Sequence, residues 1–175
     1  MPGAKLDQTD RMILAELQDN GRMTNVELAS RVGISAPPCL RRVRTLEESG
    51  FIRGYHADVD ARLLGFEVQV FAMVGLHSQA EADLVAFEEQ VQEWPLVREC
   101  FMLQGETDLL LKVVARDLES YNRFLTQQLT ASPNVSHVKS ALGIRNSKRS
   151  FGVPISLEEG EDDHGADEGA FNQAD

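Results

Sequence analysis

Two short helical patterns are separated by only three residues, Gly33-Ile34-Ser35. Helices joined by a three-residue turn containing glycine must cross steeply, which is the helix-turn-helix arrangement. The first of the pair opens at Thr24-Asn25-Val26-Glu27, a predicted capping box with Leu28, Ala29 and Val32 facing inward. Gly33 stands where a left-handed residue ends a helix, and Ser35 follows as the next N-cap. The second helix runs to about Ser49, with Pro37 and Pro38 in its first turn, where missing N–H groups cost little. A further helix is expected upstream, capped by Asp7, with Ile13, Leu14 and Leu17 as its apolar stripe. Downstream, residues 51–60 (FIRGYHADVD) read as a short hairpin or wing with Gly54 at a turn or bulge.

The rest of the chain has a different period. After a connector at 61–66, residues 67–77 alternate as a strand with Val68, Val70, Ala72, Val74 and Leu76 on one face. Residues 81–94 are helical, 97–103 and 109–115 are strands, Asp117 caps another helix, and 135–142 is the last strand. The order β-α-β-β-α-β predicts a ferredoxin-like domain over residues 67–155, an α+β fold with one helical layer on an antiparallel sheet. Phe71 and Met73 fall on the face away from the helices, so that face is expected to pack on a second subunit.

Charge is spread unevenly. Residues 1–60 carry 8 basic and 9 acidic groups, 61–155 carry 9 and 11, and the last twenty carry 0 and 8. The formal charge of −11 therefore comes mostly from an acidic tail over 156–175, which is expected to be disordered. The near-neutral body does not exclude nucleic acid as a partner. No apolar run approaches the roughly 18 residues of a membrane span. Cys39 and Cys100 fall in different domains, and no Cys/His set has metal-ligand spacing. No nucleophile–base pair or cofactor motif is apparent, so no enzymatic role is expected. The expected compartment is a reducing cytoplasm.

The helix after Ser35 looks built to meet DNA. On a helical wheel its core side centres about 270° from Leu40, and Cys39 points that way. Arg41 falls nearly opposite, with Pro37, Pro38, Arg44 and Thr45 on the same outer face and Arg42 on a flank. Guanidinium forks suit guanine edges and phosphates. The alternative is a solvated basic face, with these arginines paired to Glu47 and Glu48. Ser35 is expected to cap the helix and to contact phosphate through the same helix end.

The segments LDQTDRMILAELQDNGRMTNVELASRVGIS, PPCLRRVRTLEESGFIRGY and LQGETDLLLKV resemble the Lrp/AsnC, or feast/famine, transcriptional regulators from about Leu6 to Ser150. The resemblance implies a winged DNA-binding domain over residues 1–60 and a ferredoxin-like effector and oligomerisation domain. It implies binding of double-stranded DNA, an amino-acid effector held between dimers, and homodimers assembling to octamers. It carries Gly105, Glu106, Thr107 and Asp108 over to the family's effector turn, and Ser140 to a hydroxyl lining the pocket across the interface. Glu106 and Thr107 depart from the usual Asp and aromatic residue. The chemistry fits a zwitterion, since a glycine turn offers N–H donors to a carboxylate and Asp108 offers charge to an ammonium. The competing expectation is an architectural DNA-binding protein that uses no effector.

Overall fold

The computed structural model describes residues 5–157. These fall into two compact units, 5–57 with 150–157, and 58–149.

The first unit holds α1 (Gln8–Asp19), α2 (Asn25–Arg31) and α3 (Ala36–Glu48). Its core is Ile13, Leu28, Ala29, Val32, Cys39 and Leu46. Asp7 caps α1: the Asp10 backbone N–H donates to its side chain, and the Asp7 backbone N–H donates to the side chain of Asp10. At α2 only half of the expected capping box forms. The Glu27 N–H donates to Thr24 Oγ1 at 3.2 Å, but the Glu27 carboxylate accepts from Arg31 one turn on. An ion pair within the helix has displaced the reciprocal cap bond. Gly33 takes φ 73°, the left-handed conformation that its place after α2 requires.

Residues 51–60 carry no β-ladder among the described residues, so the hairpin expected there is not paired. An isolated two-stranded ribbon is marginal, and side-chain contacts hold this stretch instead. Tyr55 donates its hydroxyl to Glu47 at 2.9 Å and lays its ring close to Gly21.

The second unit is a four-stranded antiparallel sheet of β1 (Val68–Leu76), β2 (Val97–Met102), β3 (Leu109–Ala115) and β4 (Val135–Leu142), in spatial order β2-β3-β1-β4. Helices α4 (Glu81–Gln92) and α5 (Leu118–Phe124) complete the β-α-β-β-α-β order. Val70, Ala72, Val74, Leu109, Leu111 and Val113 pack with Phe87, Tyr121, Phe124 and Leu129 into one core. Trp94 stands edge-on to both Phe87 and Phe124, at 5.8 and 5.5 Å between centroids. The helix predicted after Asp117 is α-helical only to Phe124. It widens to a π-turn over Leu125–Leu129, closed by the Thr130 N–H on the Leu125 carbonyl.

Register sets the two faces of the sheet. Phe71 lies opposite Lys112 and Ala141, and Phe101 opposite Leu110, on the side away from the core. The acidic tail from Glu158 onward lies outside the described residues.

Candidate nucleic-acid interface and effector turn

Helix α3 begins with an unusual vacancy of donors. Ser35 has the extended backbone of an N-cap, yet its side chain makes no cap hydrogen bond. Such a cap would accept from the N–H of the second or third helical residue, and here those are Pro37 and Pro38. The capping expected of Ser35 therefore fails for want of donors, and its hydroxyl is not engaged in ending the helix. The same prolines leave few backbone N–H groups at this helix end to receive an anion. Asn25 fixes the entry to α3, its Nδ2 donating to the Ala36 carbonyl at 2.8 Å.

Cys39 and Leu46 are buried and Val43 is half-buried, so the inner face is the one the wheel gives. Ser35, Pro37, Arg41, Arg44 and Thr45 are exposed, and Pro38 is half-buried. Thr45 Oγ1 donates back to the Arg41 carbonyl at 3.0 Å. Among the described residues no carboxylate pairs with Arg41 or Arg44. Glu47, one candidate partner, accepts the Tyr55 hydroxyl instead.

Arg42 has a different situation. Its Nη1 donates to Asp7 Oδ2 and to Asp10 Oδ1, each at 2.7 Å. The cap of α1 is thus also the counter-charge of α3. The Asp10 backbone N–H, and after it the Arg42 guanidinium, hold the Asp7 carboxyl below its ordinary range. Arg42 is neutralised within its own subdomain, whereas Arg41 and Arg44 are exposed and meet no carboxylate among the described residues.

The Gly105–Asp108 turn joins β2 to β3. Gly105 and Glu106 are exposed, and Thr107 and Asp108 are half-buried. Asp108 is heavily engaged: Oδ2 accepts from the Leu76 N–H at 2.7 Å, and Oδ1 accepts from Gln79 Nε2 at 2.6 Å. The carboxylate therefore stitches its turn to the end of β1 and to the loop beyond it. The sequence marks Leu76 only as a packing residue of β1 and gives no sign of Gln79, because no motif ties residues about thirty positions away to this turn. Nearby, Asn134 Nδ2 donates to the Ser78 carbonyl, and the Ser78 N–H donates to Asn134 Oδ1.

Ser140 lies elsewhere on the sheet. It sits opposite Ala72, four residues from Leu76, or about 14 Å along β1. Its hydroxyl is 2.5 Å from the Tyr121 hydroxyl. One chain does not bring Ser140 to the Asp108 turn.

Both cysteines behave as packing groups. Burial raises the Cys39 thiol, and burial with Glu88 nearby pushes Cys100 up to about 11. Thiolate, the reactive form, is scarce at both near neutral pH.

Residues 6–53 match the family model described as winged helix-turn-helix DNA-binding, and residues 69–153 match the Lrp/AsnC ligand binding domain. A leucine-responsive regulatory protein of Rhizobium meliloti is 54% identical over 151 residues, covering 86% of this chain and 97% of the relative. The Bkd operon transcriptional regulator of Pseudomonas aeruginosa is 43% identical over 143 residues, covering 82% and 94%. Among solved structures, a transcriptional regulator from Neisseria meningitidis in complex with L-methionine superposes with a TM-score of 0.82 at 36% identity, covering 86% of this chain and 97% of that one.

Proposed function

The chain belongs to the Lrp/AsnC family of DNA-binding transcriptional regulators with an effector-binding domain, and from that premise we propose that α3 reads the major groove while an amino acid, bound at the Asp108 turn, modulates the binding. The observation that carries the reading is the pair Arg41 and Arg44, exposed on α3 with no described carboxylate partner. Ser35, Pro37, Pro38 and Thr45 flank them on the DNA side, and Arg42 supports α3 from behind through Asp7 and Asp10. Two copies of the chain, joined through their open sheet faces, present two such helices to a near-palindromic site. Dimers assemble further to an octamer, in the cytoplasm.

The effector site is read as shared between chains, with Gly105, Glu106, Thr107 and Asp108 from one and Ser140 from another. The L-methionine bound to the Neisseria regulator supports an amino acid as the ligand class. Linkage then supplies the mechanism: an effector that favours one assembly shifts DNA binding only by its differential affinity for the two states. The engagement of both Asp108 oxygens favours a second reading, an architectural DNA-binding protein whose turn is purely structural.

Gel-shift binding to the DNA upstream of the protein's own gene, with a panel of amino acids, tests the proposal. Arg41→Ala with Arg44→Ala is expected to weaken specific binding by at least tenfold, about 1.4 kcal/mol, at physiological salt. Wild-type affinity in that double variant would remove α3 as the reading element.

A further inference from the structure

Charge is segregated late in the chain: residues 120–157 hold five Lys and Arg and no Asp or Glu. Three of the five, Arg145, Lys148 and Arg149, fall in the stretch RNSKRS over 145–150. That stretch carries no helix or strand and is exposed throughout. It lies within the match to the ligand binding domain, not the DNA-binding one. We propose that residues 145–150 form a basic strap that grips the phosphate backbone of duplex DNA beside the site met by the helix-turn-helix unit. The strap rests on that unit binding DNA, and not on which side chains of α3 read the bases.

The stretch is tied at both ends. Upstream, the Gly143 N–H donates to the Gln69 carbonyl at 2.8 Å, extending the pairing of β4 with β1. Downstream, Gln18 on α1 donates through Nε2 to the Val153 carbonyl at 2.7 Å, and its Oε1 accepts from the Val153 N–H at 3.0 Å. Gly152 admits this two-way bond: it sits at φ 67°, and a Cβ there would collide with the Gln18 side chain. The chain that leaves β4 is thereby delivered to α1 of the helix-turn-helix unit. Lys148 is five residues from Val153, so it stays within about 18 Å of it. A unit of this size has a radius of gyration near 10 Å, so that reach is about one width of the unit. Duplex DNA carries a phosphate charge about every 1.7 Å of its axis, so no particular base step has to be met.

The side chains suit such a contact. Arg, Lys, Ser and Asn meet phosphate oxygens and hold a protein on the duplex without reading its sequence. Arg149 pairs with Asp58. Arg145 and Lys148 meet no carboxylate among the described residues, and Ser147 and Ser150 stand beside them in the chain. The Lys148 N–H donates to Asn146 Oδ1 at 3.2 Å, a local turn that keeps the two cations on one short exposed arc. Delivery to the helix-turn-helix unit favours duplex DNA over an acidic protein as the partner.

The test compares the full chain with two charge-matched double variants: Arg145→Gln with Lys148→Gln, and Arg98→Gln with Arg123→Gln. Both arginines of the second pair are exposed and lie outside the strap. Affinity for the upstream DNA and for random-sequence duplex is measured across salt concentrations. The strap variant is expected to lose about tenfold at roughly 100 mM salt on both duplexes, its log–log salt slope falling by about 2. The second variant should keep the wild-type slope. In the wild-type chain, random duplex is expected to slow acetylation of Lys148 about threefold, since a phosphate beside the amine holds it protonated. Mass spectrometry reads that rate. An unchanged slope in the strap variant, or a Lys148 that duplex leaves unprotected, overturns the proposal. Equal losses in both variants also overturn it, because the general field of the protein then suffices. A loss confined to the upstream DNA overturns the backbone contact in favour of base reading. The strap is judged on random duplex, and Arg41 and Arg44 on discrimination between duplexes, so either reading can fail alone.

Discussion

Asp108 sits at the residue level of the regulatory question. Its two oxygens are already bonded to the Leu76 N–H and the Gln79 amide. An ammonium group arriving there must add to the remaining lone pairs or displace Gln79. Displacing an exposed amide donor costs less than leaving a part-buried backbone N–H without its acceptor. Gln79→Leu is therefore expected to tighten binding of L-leucine or L-methionine, and Asp108→Asn to weaken it by tenfold or more. Thermal-shift titration reads both, because a ligand at a hundredfold excess over its Kd adds about 2.7 kcal/mol to the native state. Flat titrations for the wild-type chain across all common amino acids would favour the architectural reading.

Helix ends carry the clearest contrasts among the elements. Thr24 and Ser35 are both N-caps by backbone geometry, but only Thr24 accepts a cap hydrogen bond. Thr24→Ala is expected to cost about 1 kcal/mol in chemical denaturation, whereas Ser35→Ala should fall within about 0.5 kcal/mol. If Ser35→Ala also weakens DNA binding, its hydroxyl contributes at the phosphate rather than to the fold. Asp7 joins two elements, capping α1 and pairing with Arg42 of α3. Its folded carboxyl titrates below the ordinary 3.8. The stability it lends is therefore complete above that value and is lost as pH falls through the lower folded value. Asp7→Asn keeps a capping oxygen but removes this titration. Its denaturation midpoint should lose part of the wild-type decline below about pH 4. An unchanged acid limb would show that other carboxylates dominate.

At the scale of the whole molecule, the helices of the second unit cover one face of its sheet. Phe71, Met73, Phe101 and Leu110 line the other, with Phe101 49% exposed. Beside them Lys112 pairs with Glu99. A face of this kind is expected to meet another copy. Phe101→Glu should lower the mass seen by sedimentation velocity while leaving far-UV circular dichroism unchanged. A wild-type assembly that survives this substitution would place the contact elsewhere.

The chain itself determined what depends on local period and backbone chemistry. Strand alternation from Val68 to Leu76, helical spacing around Phe87 and Val91, and Gly33 after α2 each restrict φ/ψ or burial one residue at a time, so neighbours suffice to read them. The outward face of α3 was legible for the same reason, since a wheel needs only the rise and the apolar side. Beyond the local caps at Asp7 and Thr24, tertiary structure decided which polar groups meet. Arg42 met Asp7 and Asp10 more than thirty residues away, Asp108 met Leu76 and Gln79, and Gln18 met Val153 across 135 positions. Ser35 went unanswered because two prolines lack the hydrogens it would accept. Electrostatic and hydrogen-bond partners are chosen by distance in space, and that distance exists only after the cores have closed.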